Sequence, residues 1–172
     1  MKIILFTILI LSGFLAQEDE KMKLNYKNED IIKILEAYSK VANQKLVIDP
    51  GVRGRITILS PDPVDLKEAF NQISAGLAVN GYAIVKNGDS LTVMSARQAQ
   101  RNNLEVSSTL PELKPERLVT YIVTLKYVSA ETLQRTVMSL FASRDGEYRM
   151  VDDKNQMIMT DWTSNLHRVN EI

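Results

Sequence analysis

Cysteine is absent from all 172 residues, and histidine occurs once, at His167. The first absence excludes disulfides, thiol nucleophiles and thiolate metal sites. The second leaves no histidine cluster for a metal and a single imidazole for any acid–base chemistry. Charge excess is lacking too, with 21 basic residues against 21 acidic ones. A chain without surplus positive charge has little to offer a polyphosphate backbone, so nucleic acid is not an expected partner. No phosphate-cradling G-x-x-x-x-G-K-[ST] occurs either. The apolar run Ile3–Leu11 is shorter than the roughly 20 residues that a membrane-spanning helix needs.

What is present reads as globular, with 45% hydrophobic and 24% charged residues. Lys2, the run Ile3–Leu11 and the small residues Ser12, Gly13 and Ala16 read as a secretory signal peptide over residues 1–16, so the chain is expected to be exported. Without disulfides, the exported part has to hold together by packing alone.

From Asn28, a good cap, Ile31, Ile34, Leu35, Tyr38, Val41 and Ala42 recur at helical spacing. "KLVID" and "RITILS" then read as two strands joined in a hairpin by Asp49-Pro50-Gly51-Val52-Arg53-Gly54. Asp62 and Pro63 suit the start of a second helix, striped by Leu66, Phe70, Ile73 and Leu77. "YAIVK", Asn87-Gly88 and "SLTVMS" form a hairpin pattern, and "MKLNY" suits one more strand before the first helix. Residues 98–116 are polar, hold two prolines and show no period, which predicts a linker. Order resumes with the alternating strand "LVTYIVTLK". A helix capped by Ser129 and striped by Leu133, Val137, Leu140 and Phe141 follows, then the strands "EYRMV" and "QMIMT" around Asp152–Asn155, and a last helix capped by Asp161. The predicted fold is α+β, in two small modules: β-α-β-β-α-β-β over residues 22–97 and β-α-β-β-α over 117–172. A module of about 55 residues buries little, so a neighbour is expected to support the second one.

The stretch "KLVIDPGVRGRITILSPDP" has the look of a site. Its G-x-x-G could clamp a nucleic-acid backbone, but the loops that do so join two helices, whereas this one joins two strands. Glycines shaping a hairpin, with Arg53 and Arg55 on a solvated edge or forming half of an ion pair, are the simpler reading, and contact with a partner is the alternative. His167 has no nucleophile elbow near it and reads as a surface residue. Asp152 and Asp153 suit a solvated turn, and Met157-Ile158-Met159 suits a strand core. No catalytic, cofactor-binding or metal-binding residues are expected; binding and assembly remain.

The segments "LVIDPGVRGRITILSP" and "VNGYAIVKNGDSLTVM" resemble the N0 domain of secretins, nearest to the type II secretion kind. "LKYVSAETL" and the pattern T-D-x-x-S-N-x-x-R-V resemble the N1 module that follows N0 in that family. The resemblance implies a KH-like βαββα fold for the second module. It also implies a subunit of a ring-shaped outer-membrane channel through which folded proteins or pili leave the periplasm. N0 would meet an inner-membrane secretion component, N1 modules would pack side by side with other secretin subunits, and exported substrates are further candidate partners. An exposed sheet edge at Leu24, Asn25 and Tyr26, with Arg53 and Arg55, is the expected contact. The family's pore is a C-terminal β-barrel, whereas this sequence stops at Ile172 inside its predicted last helix, so the chain by itself is not expected to form the channel. Two alternatives stay open: a periplasmic signal-relay domain akin to that of TonB-dependent receptors, and a stand-alone N0-N1 adaptor.

Overall fold

The computed structural model describes residues 20–102, 104–133, 135, 141–151 and 154–171. The leader expected over residues 1–16 lies outside them, as do Val137, Leu140, Asp152 and Asp153. The first half runs β1 (Lys21–Met22), β2 (Asn25–Asp30), α1 (Ile31–Val41), β3 (Lys45–Ile48), β4 (Arg55–Leu59), β5 (Val64–Asp65), α2 (Leu66–Val79), β6 (Tyr82–Asn87) and β7 (Ser90–Ser95). The short helix α3 (Ala96–Ala99) leads to β8 (Val106–Ser107), β9 (Leu118–Thr124), β10 (Glu147–Val151), β11 (Gln156–Trp162) and α4 (Thr163–Asn170). Residues 130–133 and 135 are helical between β9 and β10, and Ser129 caps them by accepting the Thr132 amide. The architecture is α+β, as expected.

Both long helices bury the face that their spacing predicts, and both start later than expected. Asp30, not Asn28, caps α1 by accepting the Ile32 amide at 2.8 Å. Asn28 takes a left-handed conformation, φ 52°, where β2 bulges against β4. Asp65, not Asp62, caps α2 by accepting the Glu68 amide at 2.7 Å. In both cases strand pairing holds the backbone extended up to the cap: β2 pairs with β4 through Asp30, and β5 pairs with β1 through Asp65.

The expected hairpin between "KLVID" and "RITILS" does not form. β3 runs parallel to β7, whereas β4 runs antiparallel to β2, so the turn carries the chain from one sheet to another. Burial explains the choice, because Val52 in the middle of the turn is 2% exposed and belongs to the core of α1 and α2. A solvent-exposed hairpin loop would leave that side chain in water. Gly54, at φ 123°, lets the chain leave the turn and present its carbonyl to the Ile31 amide at 3.1 Å.

The sheet β3–β7–β6 is covered on both faces. Val93, Tyr82 and Ile84 pack towards α1 and α2, and Ala83, Val85 and Met94 pack with Ala96, Ala99, Leu118 and Trp162. The second half is a four-stranded sheet in the order β10–β11–β9–β8, with Val119, Tyr121, Tyr148, Met157 and Met159 packed against Leu166 and Val169 of α4.

Residues 98–116, which read as a linker, are tied into this second sheet. Ser95 and Gln98 form a capping box on α3, β8 pairs in parallel with β9, and Glu105 O accepts the Thr120 amide at 2.9 Å. His167 Nε2 bonds Pro111 O at 2.7 Å, and Thr163 Oγ1 donates to Leu113 O at 3.0 Å. Composition shows polarity but not the distant groups that satisfy it, and here those groups are supplied by β9 and α4.

Asp161, expected to cap the last helix, is fully buried in β11 and makes no such cap. Its carboxylate accepts from the Ser143 hydroxyl and amide, the Tyr148 hydroxyl, Asn165 Nδ2 at 2.6 Å and the Trp162 amide at 2.8 Å. Gly146 approaches so closely that a Cβ there would stand 2.5 Å from Asp161 Oδ2. Replacing Asp161 by alanine orphans several buried donors at once, so Asp161→Ala should cost roughly 2 to 5 kcal/mol. Urea unfolding measures this, and a variant as stable as the parent would refute the network's role. Burial, and after it the bond to Asp161, raise the Tyr148 pKa far above its ordinary value. A phenol whose folded pKa is raised contributes stability below the unfolded value of about 10 and loses it as pH climbs through the folded value. Stability should therefore fall above pH about 10, and the fall should be shallower in Tyr148→Phe, as followed by circular dichroism.

Candidate partner-binding surface

Among the described residues, β2 is bonded to one strand, β4, and its other edge is open. The Ser60 amide donates to Leu24 O at 2.7 Å, so Leu24 faces the ladder, and the next pair, Asn25 with Leu59, is a non-bonded one. The N–H and C=O of Asn25 therefore point to the open side. Asn25 is exposed and Tyr26 half-buried, while Leu24 is wholly buried and serves the core. Of the three residues expected at the edge, Asn25 presents its backbone outward, and Leu24 anchors the strand that carries it.

Arg53 and Arg55 are exposed and have no ion-pair partner among the described residues. Arg55 stands opposite Asp30, at the other end of β2 from Asn25. Four strand residues separate the two ends, roughly 13 to 17 Å. Arg53 lies in the turn, which is pinned by the Tyr82 hydroxyl: it donates to Arg53 O at 2.8 Å and accepts the Arg53 amide at 3.1 Å. The fold thus spreads the five expected residues along one strand pair and its entry turn. Glu29, between them, is held below the usual carboxylate range by the Asp30 amide first and by Lys33 next, with Arg55 a smaller influence.

No group of three or more His, Asp and Glu side chains is placed to hold a metal among the described residues. Asp49 is engaged within its own turn, accepting the Gly51 amide at 2.8 Å. His167, read as a surface residue, is half-buried and tied to Pro111. No described helix is long and apolar enough to cross a membrane. Tyr82, which sets the position of Arg53, had only a strand pattern to mark it. Exposed Val47 and Leu59 beside the strand pairs had no signal that set them apart from core residues.

A family model described as the N0 domain, GspD-like, matches residues 24–93. Secretin XcpQ of Pseudomonas aeruginosa is 21% identical over 156 residues, covering 91% of this chain and 23% of XcpQ. Secretin PulD of Klebsiella pneumoniae is 29% identical over 130 residues, covering 74% of this chain and 20% of PulD. The chain therefore spans less than a quarter of the length of these relatives. Among solved structures, the Klebsiella pneumoniae type II secretion outer-membrane complex of PulD, PulS and the PulC HR domain superposes with a TM-score of 0.74 at 26% identity, over 86% of this chain and 25% of that one. With the order of strands and helices above, residues 24–93 are a GspD-like N0 domain, and the chain is similar over most of its length to the secretins of type II secretion.

Proposed function

We propose that this chain is the periplasmic N-terminal region of a secretin, which binds an inner-membrane secretion component and contributes to the periplasmic ring of an outer-membrane export channel. The observation that carries the reading is the GspD-like N0 domain with one edge of β2 open to a partner strand. The related PulD complex, which includes the PulC HR domain, supports it. Residues 22–97 would dock the partner, 117–172 would meet neighbouring subunits, and 98–116 would brace the two. Export through the leader would deliver the chain to the periplasm, and catalysis has no part in the scheme. The second sheet after N0 favours this over a signal-relay domain, which in that receptor class would run on into a plug.

An extended partner segment would pair with the outward groups of β2, since unpaired edge amides and carbonyls accept an added strand. Arg53 and Arg55 would steer acidic residues of the same partner. Asn25→Pro removes an outward donor and leaves the bonds to β4 intact. Titration calorimetry with the periplasmic segment of the cognate inner-membrane component should show at least tenfold weaker binding for Asn25→Pro, with unfolding unchanged. Unaltered affinity would exclude the edge. Exposed Tyr127, Val106 and Met150 offer the second unit small apolar contacts for its neighbours. A ring contact of this size has to overcome the entropy of association, so the chain on its own should sediment as a monomer at micromolar concentration. A stable closed ring would show instead that the subunit contact is strong in itself.

A further inference from the structure

Among the described residues β6 is an outermost strand, like β2, but in a different sheet. Its hairpin turns at Gly88–Asp89, closed by the pair Asn87 and Ser90. Bonded and non-bonded pairs alternate along an antiparallel ladder. Val85 with Thr92 and Ala83 with Met94 are therefore bonded pairs, while Ile84 and Lys86 turn their N–H and C=O away from β7. Two hydrogen bonds check this parity. Gly81 O accepts the Ala96 amide at 2.8 Å, in step with the bonded pairs, and Val93, opposite Ile84, points its carbonyl away from β6 to the Asp49 amide at 2.9 Å.

Ile84 and Lys86 line a cleft of about 620 Å³ between the two halves, with Phe70, Leu104 and Leu118 among its apolar walls. Of its four charged side chains, Arg117 pairs with Glu105 at 3.3 Å and Glu116 accepts from Ser164 Oγ at 2.8 Å. That leaves Lys86 without a carboxylate partner among the described residues. We propose that β6 is a second strand-accepting edge, and that its occupant is an extended segment of a partner protein with alternating apolar side chains and an acidic residue opposite Lys86. A compact apolar molecule would fill the cleft but leave the edge amides unpaired. An added strand satisfies the backbone groups, the apolar walls and the Lys86 ammonium together.

The test is amide hydrogen exchange by NMR on the chain with a short synthetic peptide of alternating valine and threonine carrying one glutamate. Its copy, N-methylated at alternate backbone nitrogens, is the control. Exchange at Ile84 and, through the parallel loss of the open edge, along β6 should slow roughly tenfold with the first peptide and not with the second. Lys86→Pro, which removes an outward donor and no ladder bond, should abolish the effect, whereas Lys86→Ala should retain it at weaker affinity. The spectrum of the free Lys86→Pro protein verifies its fold, and the Lys86→Ala result decides if that fold is lost. Equal binding of the N-methylated copy would overturn the proposal in favour of simple apolar filling. Slowing confined to Asn25 and Tyr26 would place the peptide on β2 alone, and no slowing at millimolar peptide would leave β6 with no such role; either result overturns it.

Discussion

The contact on which the arrangement of the two halves depends is the packing of Trp162 and Leu118 against Ala83, Val85, Ala96 and Ala99. Three of those four partners are alanines, and their small side chains let the indole approach the sheet closely. The β3–β7–β6 sheet carries apolar side chains on both faces, so a first half standing alone would leave one face wet. Covering it with the second half is the physical reason that the two units meet here. Gln100 Nε2 donates to Asp145 O, and Trp162 Nε1 donates to Asp145 Oδ2 at 3.4 Å, so polar contacts hold the rim of the same junction.

Successive strand residues point to opposite faces, and Asp161 and Trp162 use that alternation to serve two purposes. Trp162 reaches the first half, while Asp161 turns to the other side and gathers Ser143, Tyr148 and Asn165 around one carboxylate. A buried charge is tolerated only when its lone pairs are occupied. Here they are, which ties the loop before β10, β10 itself and the start of α4 to one point. The motif T-D-x-x-S-N thereby has a structural meaning: Asp161 at the end of β11 and Asn165 in the first turn of α4 bond each other at 2.6 Å.

Among the described residues no cluster of His, Asp and Glu is placed to hold a metal, and the proposed docking uses backbone groups at strand edges. The sheets are short and open, and the parity of each ladder decides which amides are spent inside and which face out. Asn25 on β2 and Ile84 and Lys86 on β6 face out for the same reason. The β2 edge lies beside exposed arginines, whereas the β6 edge lies in an apolar cleft, so the two would select different segments.

The sequence alone determined the helix faces, because a 3.6-residue period records which side is buried whatever the partner. It also determined the β6–β7 hairpin and the Met157–Met159 strand, where a local turn or an alternation is sufficient. Asn28, Asp62 and Asp161 do not cap their helices, because a good capping residue is also a good bulge, turn or buried acceptor, and strand pairing decides among them. At Asp49–Gly54 the local chemistry is the same for a hairpin and for a passage between sheets; burial of Val52 distinguishes them. Residues 98–116 looked like a linker because their partners, His167, Thr163 and Thr120, lie far along the chain. Local preference acts over a few residues and is written in the sequence, whereas the partner of a strand edge, a polar loop or a sheet's second face is settled only when distant segments meet.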